Sequence, residues 1–414
     1  MREVKTALTI AGSDSGGGAG IEADLKTFSC FGVHGLVAIT SVTAQNTQEV
    51  IGVYDIIPEI VSKQIEAVAK DIGIDAAKTG MLSNACIIKA VAKTVKKYSF
   101  PLVVDPVMIA KSGAFLLKED AVDALIEKII PLATLVTPNK FEAEKLSGIK
   151  IKNIEDAKKS ARIIVKNLGA EAVIIKKAYT KLGKVVDVLY YQGKFKEYKA
   201  RFVDGCTHGS GCSFSAAITA NLAKGENLEK AIKIAKKFIT MGIYYGIKIG
   251  KGCCPVNQNA WIEILAEKWR VYNKLSKAVK KLETFLEKLL FYAPKESIKL
   301  IYSLPKLYTK APKDIGAVYF KNKSNSAFCI KFGVSKNLAR VILKIMKFYP
   351  ELRSALSIKY NEKIIEKAKT LGINVLKITE FDFKEKPEII CFDNTILILA
   401  ENPENAVKKL EKFI

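Results

Sequence analysis

The chemistry-bearing stretch that stands out is Thr207-His208-Gly209-Ser210-Gly211-Cys212-Ser213-Phe214-Ser215-Ala216-Ala217-Ile218. Small, flexible residues lead into a strongly helix-forming apolar run. At such a helix start, backbone N–H groups converge and the helix dipole favours negative charge. Gly209, Ser210 and Gly211 can therefore form an anion hole for a transferring phosphoryl group. Cys212, in the first turn, is where a thiol is expected to have its pKa lowered and to serve as a general base. The alternative is a plain loop with Cys212 as a small buried apolar residue, and these residues alone do not separate the two.

Three further groups could serve a phosphate reaction. In Thr137-Pro138-Asn139-Lys140-Phe141-Glu142, Pro138 ends a strand and Asn139 and Glu142 fall one helical turn apart. An amide and a carboxylate so placed suit hydrated Mg2+, and equally suit a capping box. The glycine loop Gly12–Asp24 is neither a P-loop, lacking the Gly-Lys-Ser/Thr end, nor a dinucleotide fingerprint, because Ile21 stands where the last glycine belongs. It allows a flat ligand to lie against the backbone. Asp105, in Leu102-Val103-Val104-Asp105-Pro106, sits at a strand's carboxyl end.

The elements that must hold these residues follow a clear rhythm. Short apolar runs at Leu8–Ala11, Leu36–Val42, Leu102–Val104, Thr134–Val136 and Ala172–Lys176 predict strands. Amphipathic stretches at Ile60–Ala69, Ile87–Lys97, Ala121–Ile130 and Ile154–Leu168 predict helices between them. This alternation predicts an α/β unit with a largely parallel sheet, whose ligands bind at the strands' carboxyl ends. Tyr190–Val203 reads as a hairpin, and Leu228–Ile249 as a helix running into a turn at Gly250–Pro255. A short helix near Trp261–Ala266 closes the first unit. A second, smaller α/β unit opens with a helix near Val271–Leu290, and continues through helices at Ser335–Phe348 and Glu362–Leu371 and strands near Ile373–Ile378 and Thr395–Leu399.

At 414 residues the chain has room for two such units. No apolar run reaches the 18 or so residues of a membrane span. The first apolar stretch, Thr6–Ile10, is short for a signal peptide and runs into the glycine loop, so a cytoplasmic protein is expected. The 8 cysteines include no Cys-x-x-Cys pair, and His34 and His208 are the 2 histidines, which leaves little for a zinc site. Adjacent Cys253 and Cys254 are expected to be plain thiols in a loop. The net charge of +24 is mostly lysine interleaved with acids. That pattern reads as a solvated surface of the kind common in proteins from hot environments, and nucleic acid is not an expected partner.

Taken together, the residues resemble the hydroxymethylpyrimidine/phosphomethylpyrimidine kinase family of thiamine synthesis, within the ribokinase-like superfamily. The matching strings are Thr9–Asp14, Gly18–Phe28, Thr43–Thr47, Lys78–Leu82, Val104–Met108, Lys111–Gly113, Thr137–Glu142 and His208–Cys212, all in family order. The resemblance implies a three-layer α/β/α kinase domain over 1–266, ATP and Mg2+ as cofactors, and a homodimer. It implies a pyrimidine pocket of Ala19, Asp24, Gln45, Met81 and Val107, with Asp105 beside it, and a nucleotide-phosphate contact at Lys176. Cys212 matches a position most ribokinase-like enzymes fill with Asp. A cysteine there tolerates a monophosphate that a carboxylate would repel. The chain departs from the family where Lys176 is followed by Lys177-Ala178-Tyr179 instead of Gly-Gly-His, and where Gln258 replaces a common His; both departures are expected to touch the nucleotide side. The nearest alternative is a pyridoxal kinase, from which Gln45 and Met81 lean away.

Residues 270–414 resemble, more weakly, the ThiN-type thiamine-phosphate synthase domain. The matching segments are Phe332–Leu343, with Ser335 as N-cap and Arg340 on the next turn, and Pro350–Tyr360, which contains Arg353. The domain would join the pyrimidine product to thiazole phosphate. Several family features are missing: no histidine follows His208, Ala293-Pro294-Lys295 replaces Glu-Val-Gly, and Phe381–Ile390 is compressed. The segment is therefore either a reduced synthase or a non-catalytic domain that senses thiamine phosphate.

Overall fold

In a computed structural model, described for residues 3–109, 119–181, 183–285, 288, 298–320, 329–377, 385–392 and 394–414, the chain divides into two compact units, Met1–Trp261 and Ile262–Ile414. The string Lys111–Gly113 and the triplet Ala293–Lys295 lie outside the described residues.

The first unit is built on an eight-stranded sheet. Its parallel part runs β2 (His34–Ile39), β1 (Thr6–Ala11), β5 (Ala76–Thr79), β6 (Leu102–Val104), β7 (Leu135–Val136) and β8 (Ala172–Lys181). An antiparallel extension adds β9 (Lys184–Tyr191) and β10 (Lys194–Arg201), the hairpin expected near Tyr190–Val203. β1, β5 and β6 are buried at every position, as strands covered on both faces must be. Alternate side chains feed two cores. Val104 packs with Ile65 of α2 (Pro58–Asp71), Ile88 of α3 (Ala85–Val95) and Ile164 of α6 (Ile154–Lys166). Its neighbour Val103 packs on the other face with Phe28 of α1 (Gly20–Cys30), Ile218 of α7 (Ser210–Ala223) and Ile232 of α8 (Leu228–Tyr244). The three layers are those expected.

Several expected elements differ in detail. The run Leu36–Val42 breaks at Thr40: Ser41–Gln45 forms β3 of a separate hairpin with β4 (Val50–Asp55). The expected helix Ala121–Ile130 begins as α4 (Glu119–Ala124), widens to a π-turn at Leu125–Ile129 and tightens to a 3-10 turn at Pro131. The helix expected to Ile249 stops at Tyr244. The short helix expected near Trp261–Ala266 and the longer one expected near Val271–Leu290 are one continuous α9 (Ala260–Glu283), because nothing between Ala266 and Val271 breaks a helix.

The second unit has a seven-stranded, mostly antiparallel sheet, with β11 (Ile298–Ser303), β12 (Ile315–Phe320), β14 (Ser354–Lys359) and β17 (Thr395–Ala400) at its centre, flanked by β13 (Lys331–Phe332) on one side and by β16 (Ile389–Phe392) and β15 (Val375–Lys377) on the other. Ile342 and Ile345 of α10 (Lys336–Phe348) pack on Ile301, Ala355 and Leu397.

One covalent tie corrects the sequence reading. Cys254 is bonded to Cys206, while Cys253 is an exposed free thiol. The pair joins the loop before α7 to the turn after α8, alongside a short parallel bridge between His208 and Pro255. With the cysteines 48 positions apart in sequence, loss of the cross-link is expected to cost about 4 kcal/mol on the chain-entropy account. Cys206→Ser should therefore lower the first unit's midpoint in denaturant. A midpoint equal to that of oxidised wild type would show that the bond contributes nothing.

Candidate active site

Beyond the carboxyl ends of β1 and β5 to β8, two glycine loops interlock. Asp14 organises the first: its carboxylate accepts the N–H groups of Gly16 (2.8 Å), Gly18 (3.1 Å) and Ala19 (2.8 Å). His208 Nε2 from the second loop meets Asp14 Oδ2 at 2.9 Å. Burial works to raise the Asp14 pKa, but His208 and the converging amides outweigh it and hold the carboxyl below its ordinary value. Contact is so close that side chains are excluded. A Cβ on Gly18 would fall 2.2 Å from the His208 ring, and one on Gly209 (φ +73°) would fall 1.7 Å from the Gly18 carbonyl. Glycine is required at both positions.

The interlock brings the N-termini of α1 and α7 together. Gly209 is the N-cap of α7, and Ser210 turns its N–H back to Thr207 O at 3.1 Å. Of the expected anion hole of Gly209, Ser210 and Gly211, the Gly211 amide then remains as a first-turn donor without an acceptor one turn back, and the Cys212 amide joins it. The Gly20 amide of α1 points to the Cys212 sulfur. The expectation of a lowered thiol pKa is overturned. Burial, together with the Asp24 and Asp105 carboxylates, pushes Cys212 up to about 12 against the pull of Lys78 and the Gly20 amide. The resting residue is a thiol.

Two buried ion pairs lie beneath it. The parallel register sets Thr9 beside Lys78, and both reach Asp24: Thr9 Oγ1 donates at 2.7 Å and Lys78 Nζ at 2.8 Å. Lys78 and Asp24 have fully buried side chains. Lys176 Nζ pairs with Asp105 Oδ1 at 2.8 Å, and Thr137 adds a hydroxyl at 3.0 Å. Burial acts to raise Asp105, but Lys176 and Lys78 bring it below its usual range.

Asn139 and Glu142 form the capping box at the start of α5 (Lys140–Ser147): Asn139 Oδ1 accepts the Glu142 N–H at 3.0 Å and Glu142 Oε2 accepts the Asn139 N–H at 2.7 Å. The cap does not use up the carboxylate. Burial first, then nearby Asp105, raises the Glu142 pKa to about 7 although Lys176 opposes it. A buried carboxyl in that state gains from an arriving cation. Among the described residues no three His, Cys, Asp or Glu cluster as a metal cage. That donor set fits a hydrated Mg2+ that brings waters and nucleotide phosphates as its other ligands.

A cavity of 790 Å³ joins these parts. Ala19, Gln45, Met81, Asp105 and Val107 line it, as do Asn139, Glu142, Lys176 and the Gly209–Cys212 turn. Asp24 does not. It sits behind the wall, where it anchors Lys78. Gln258 also lies off the cavity, donating to Ser213 Oγ of α7 at 2.9 Å, so that departure bears on helix placement and not on the nucleotide side. Sequence reasoning missed Lys78, Asp14 and His208 as site residues. Their signal was a lysine inside an otherwise apolar strand and a histidine beside the Gly209 turn. In the second unit Ser335 occupies the N-cap position of α10 without a side-chain cap bond, and Arg340 is exposed. Arg353 is engaged in structure: its guanidinium donates to Ser303 O at 2.9 Å and lies over the Tyr302 ring.

A family model described as phosphomethylpyrimidine kinase matches residues 14–257. The chain belongs to that family. A second model, thiamine-phosphate synthase ThiN, matches residues 274–396, so a phosphomethylpyrimidine kinase unit is fused here to a ThiN-type domain. Similar curated proteins include the hydroxymethylpyrimidine/phosphomethylpyrimidine kinases of Bacillus subtilis (46% identical over 258 residues, covering 62% of this chain and 95% of the relative) and Haemophilus influenzae (49% over 271 residues, 63% and 99%). Among solved structures, an ADP complex of Bacillus subtilis pyridoxal kinase matches with a TM-score of 0.58 at 41% identity, covering 62% of this chain and 98% of that one. A phosphomethylpyrimidine kinase from Clostridium difficile matches with a TM-score of 0.51 at 46% identity, covering 57% and 98%.

For this family member the raised Glu142 sets a pH dependence. A carboxyl whose folded pKa lies above its unfolded value favours folding while protonated. Its contribution is lost as pH rises from about 4.5 to about 7. Without nucleotide, Glu142→Gln should remove that fall, on the order of 3 kcal/mol across the window. Parallel stability–pH curves for wild type and variant would overturn the assignment.

Proposed function

We propose that residues 1–266 transfer the γ-phosphoryl group of ATP to 4-amino-5-hydroxymethyl-2-methylpyrimidine, and then to the resulting monophosphate, in thiamine synthesis. The observation that carries this reading is one cavity in which Cys212, where two helix N-termini meet, faces the Asn139/Glu142 cap and the Lys176–Asp105 pair. In each step a substrate oxygen forms a bond to the γ-phosphorus while the bond to the β–γ bridging oxygen breaks. The alcohol's proton passes to an oxygen of the transferred phosphoryl group, and the monophosphate attacks through an already ionised oxygen. Such transfer has a loose transition state, so positioning and charge stabilisation dominate over base strength. The Gly211 and Cys212 amides receive the phosphoryl oxygens, and Lys176 and Lys78 supply positive charge nearby. Asn139 and Glu142 would hold Mg2+ through water, and the ion's chemistry would be to neutralise the nucleotide's phosphates. Ala19, Gln45, Met81 and Val107 form the pyrimidine wall.

A thiol explains how one pocket serves two substrates. It adds no charge, whereas a carboxylate there would repel the monophosphate. Cys212→Asp should therefore lower kcat/KM for the monophosphate about tenfold more than for the alcohol. Equal losses on the two substrates would remove Cys212 from this role. Pyridoxal belongs in the same assay, because solved relatives at 38–41% identity are pyridoxal kinases. Preferential turnover of pyridoxal would overturn the pyrimidine reading.

For residues 270–414 we propose condensation of the pyrimidine pyrophosphate with thiazole phosphate to thiamine phosphate. The ThiN match and the exposed Arg340 on α10 support this reading, the arginine suiting a pyrophosphate. Arg340→Ala should abolish thiamine phosphate formation by the full chain, and undiminished product would sink the assignment. Alternatively the domain senses thiamine phosphate, in which case wild type binds it and forms none. Exposed Val42, Val53 and Tyr54 on the β3–β4 hairpin support a homodimer, readable from the sedimenting mass. Among the described residues no helix is long and apolar enough to cross a membrane, which supports the proposed cytoplasmic location.

A further inference from the structure

Strand β8 loses register beside the active site. Ile175 pairs with Val188 and Tyr179 with Val186, so three residues, Lys176 to Ala178, bulge out opposite Asp187 alone. On its other edge Lys176 stays in line with β7, its N–H going to Pro138 O at 2.8 Å, and its ammonium reaches Asp105. It also leaves the Lys177 N–H off the ladder, and Asp187 Oδ1 takes it at 2.9 Å. The other carboxylate oxygen binds Lys236 Nζ of α8.

Several local choices here run against ordinary preference. Lys177 has φ +49°, the left-handed region where glycine is unstrained and where the resembling family has Gly-Gly-His. Asp187 is buried in the middle of an apolar strand, Lys184–Tyr191, where aspartate is disfavoured and its charge is costly unless paired. Lys236 is mostly buried on α8. Concentrated violations of this kind mark functional sites. Lys177, Asp187 and Lys236 all line the same cavity as Gly211 and Lys176, on the side where Val185, Ile239 and Ile243 form an apolar wall.

We propose that Asp187 is a positioning residue that holds Lys236 and the Lys177 turn as a clamp on the phosphate chain of the nucleotide. This rests on the kinase reading above and goes beyond it by naming residues outside the strings that carry the family resemblance. An ammonium has three donors. Asp187 takes one and fixes the side chain, and the others can reach an anion in the cavity. The apolar wall beside the clamp suits the base of the same nucleotide. The lysine side chain at 177 thus adds a cation where a Gly-Gly turn would offer only backbone.

The test uses the full chain and calorimetric binding of Mg-ADP, with steady-state kinetics alongside. Asp187→Asn and Lys236→Met should each weaken ADP about tenfold. The kinetic loss should fall on KM for ATP rather than on kcat or KM for the pyrimidine. Lys236→Arg, which keeps the charge, should restore most of the affinity. If Asp187→Asn fails to fold, the Lys236 pair decides the matter. ADP binding that matches wild type in Lys236→Met reduces the ion pair to a tie between α8 and the sheet, and overturns the clamp while the kinase reading stands. Wild type that binds no ADP overturns the kinase reading and the clamp together.

Discussion

Two glycine-bearing loops, 194 residues apart at their Asp14–His208 contact, must touch backbone to backbone before this site exists. Asp14 collects the amides of one loop and the imidazole of the other, and Gly18 and Gly209 leave no volume between them. From that contact follow the approach of α1 to α7, the convergence of their N-termini and the position of Cys212. The bridge between His208 and Pro255 and the Cys206–Cys254 bond brace the same loop from its far side. Substrate wall and phosphate hole are thus set by one packing event.

Charge is handled in the same layered way. Buried carboxylates and ammonium groups are paired at short range, Asp24 with Lys78 and Asp105 with Lys176, so neither residue of a pair stands as an isolated charge. Their fields still reach Cys212 and Glu142. The outcome is a thiol that keeps its proton and a carboxyl poised near neutrality, two groups whose states respond to what enters the cavity.

The alternation of strands and helices in the first unit was legible because buried parallel strands are short apolar runs and their crossover helices are amphipathic. The Gly209–Cys212 turn and the Asn139/Glu142 pair were legible from local spacing. What depended on register between distant strands was not. Thr9 stands beside Lys78 only because β1 and β5 are neighbours, and nothing local to either residue points to Asp24. The Cys212 pKa went the wrong way for a related reason. The helix dipole was visible in the sequence, whereas burial and the carboxylates of Asp24 and Asp105 came from three separate segments. The Cys206–Cys254 bond, between cysteines with no recognisable spacing, was hidden likewise. In the second unit, β11 and β12 lie in a stretch without clear periodicity, and the sheet emerged only with its partners.

The protonated state of Cys212 also bears on durability. Oxidants and alkylating agents attack thiolates, so a thiol pushed up to about 12 is a poor target even though it is partly exposed in the cavity. The residue at the centre of the phosphate site thus rests in its less nucleophilic form.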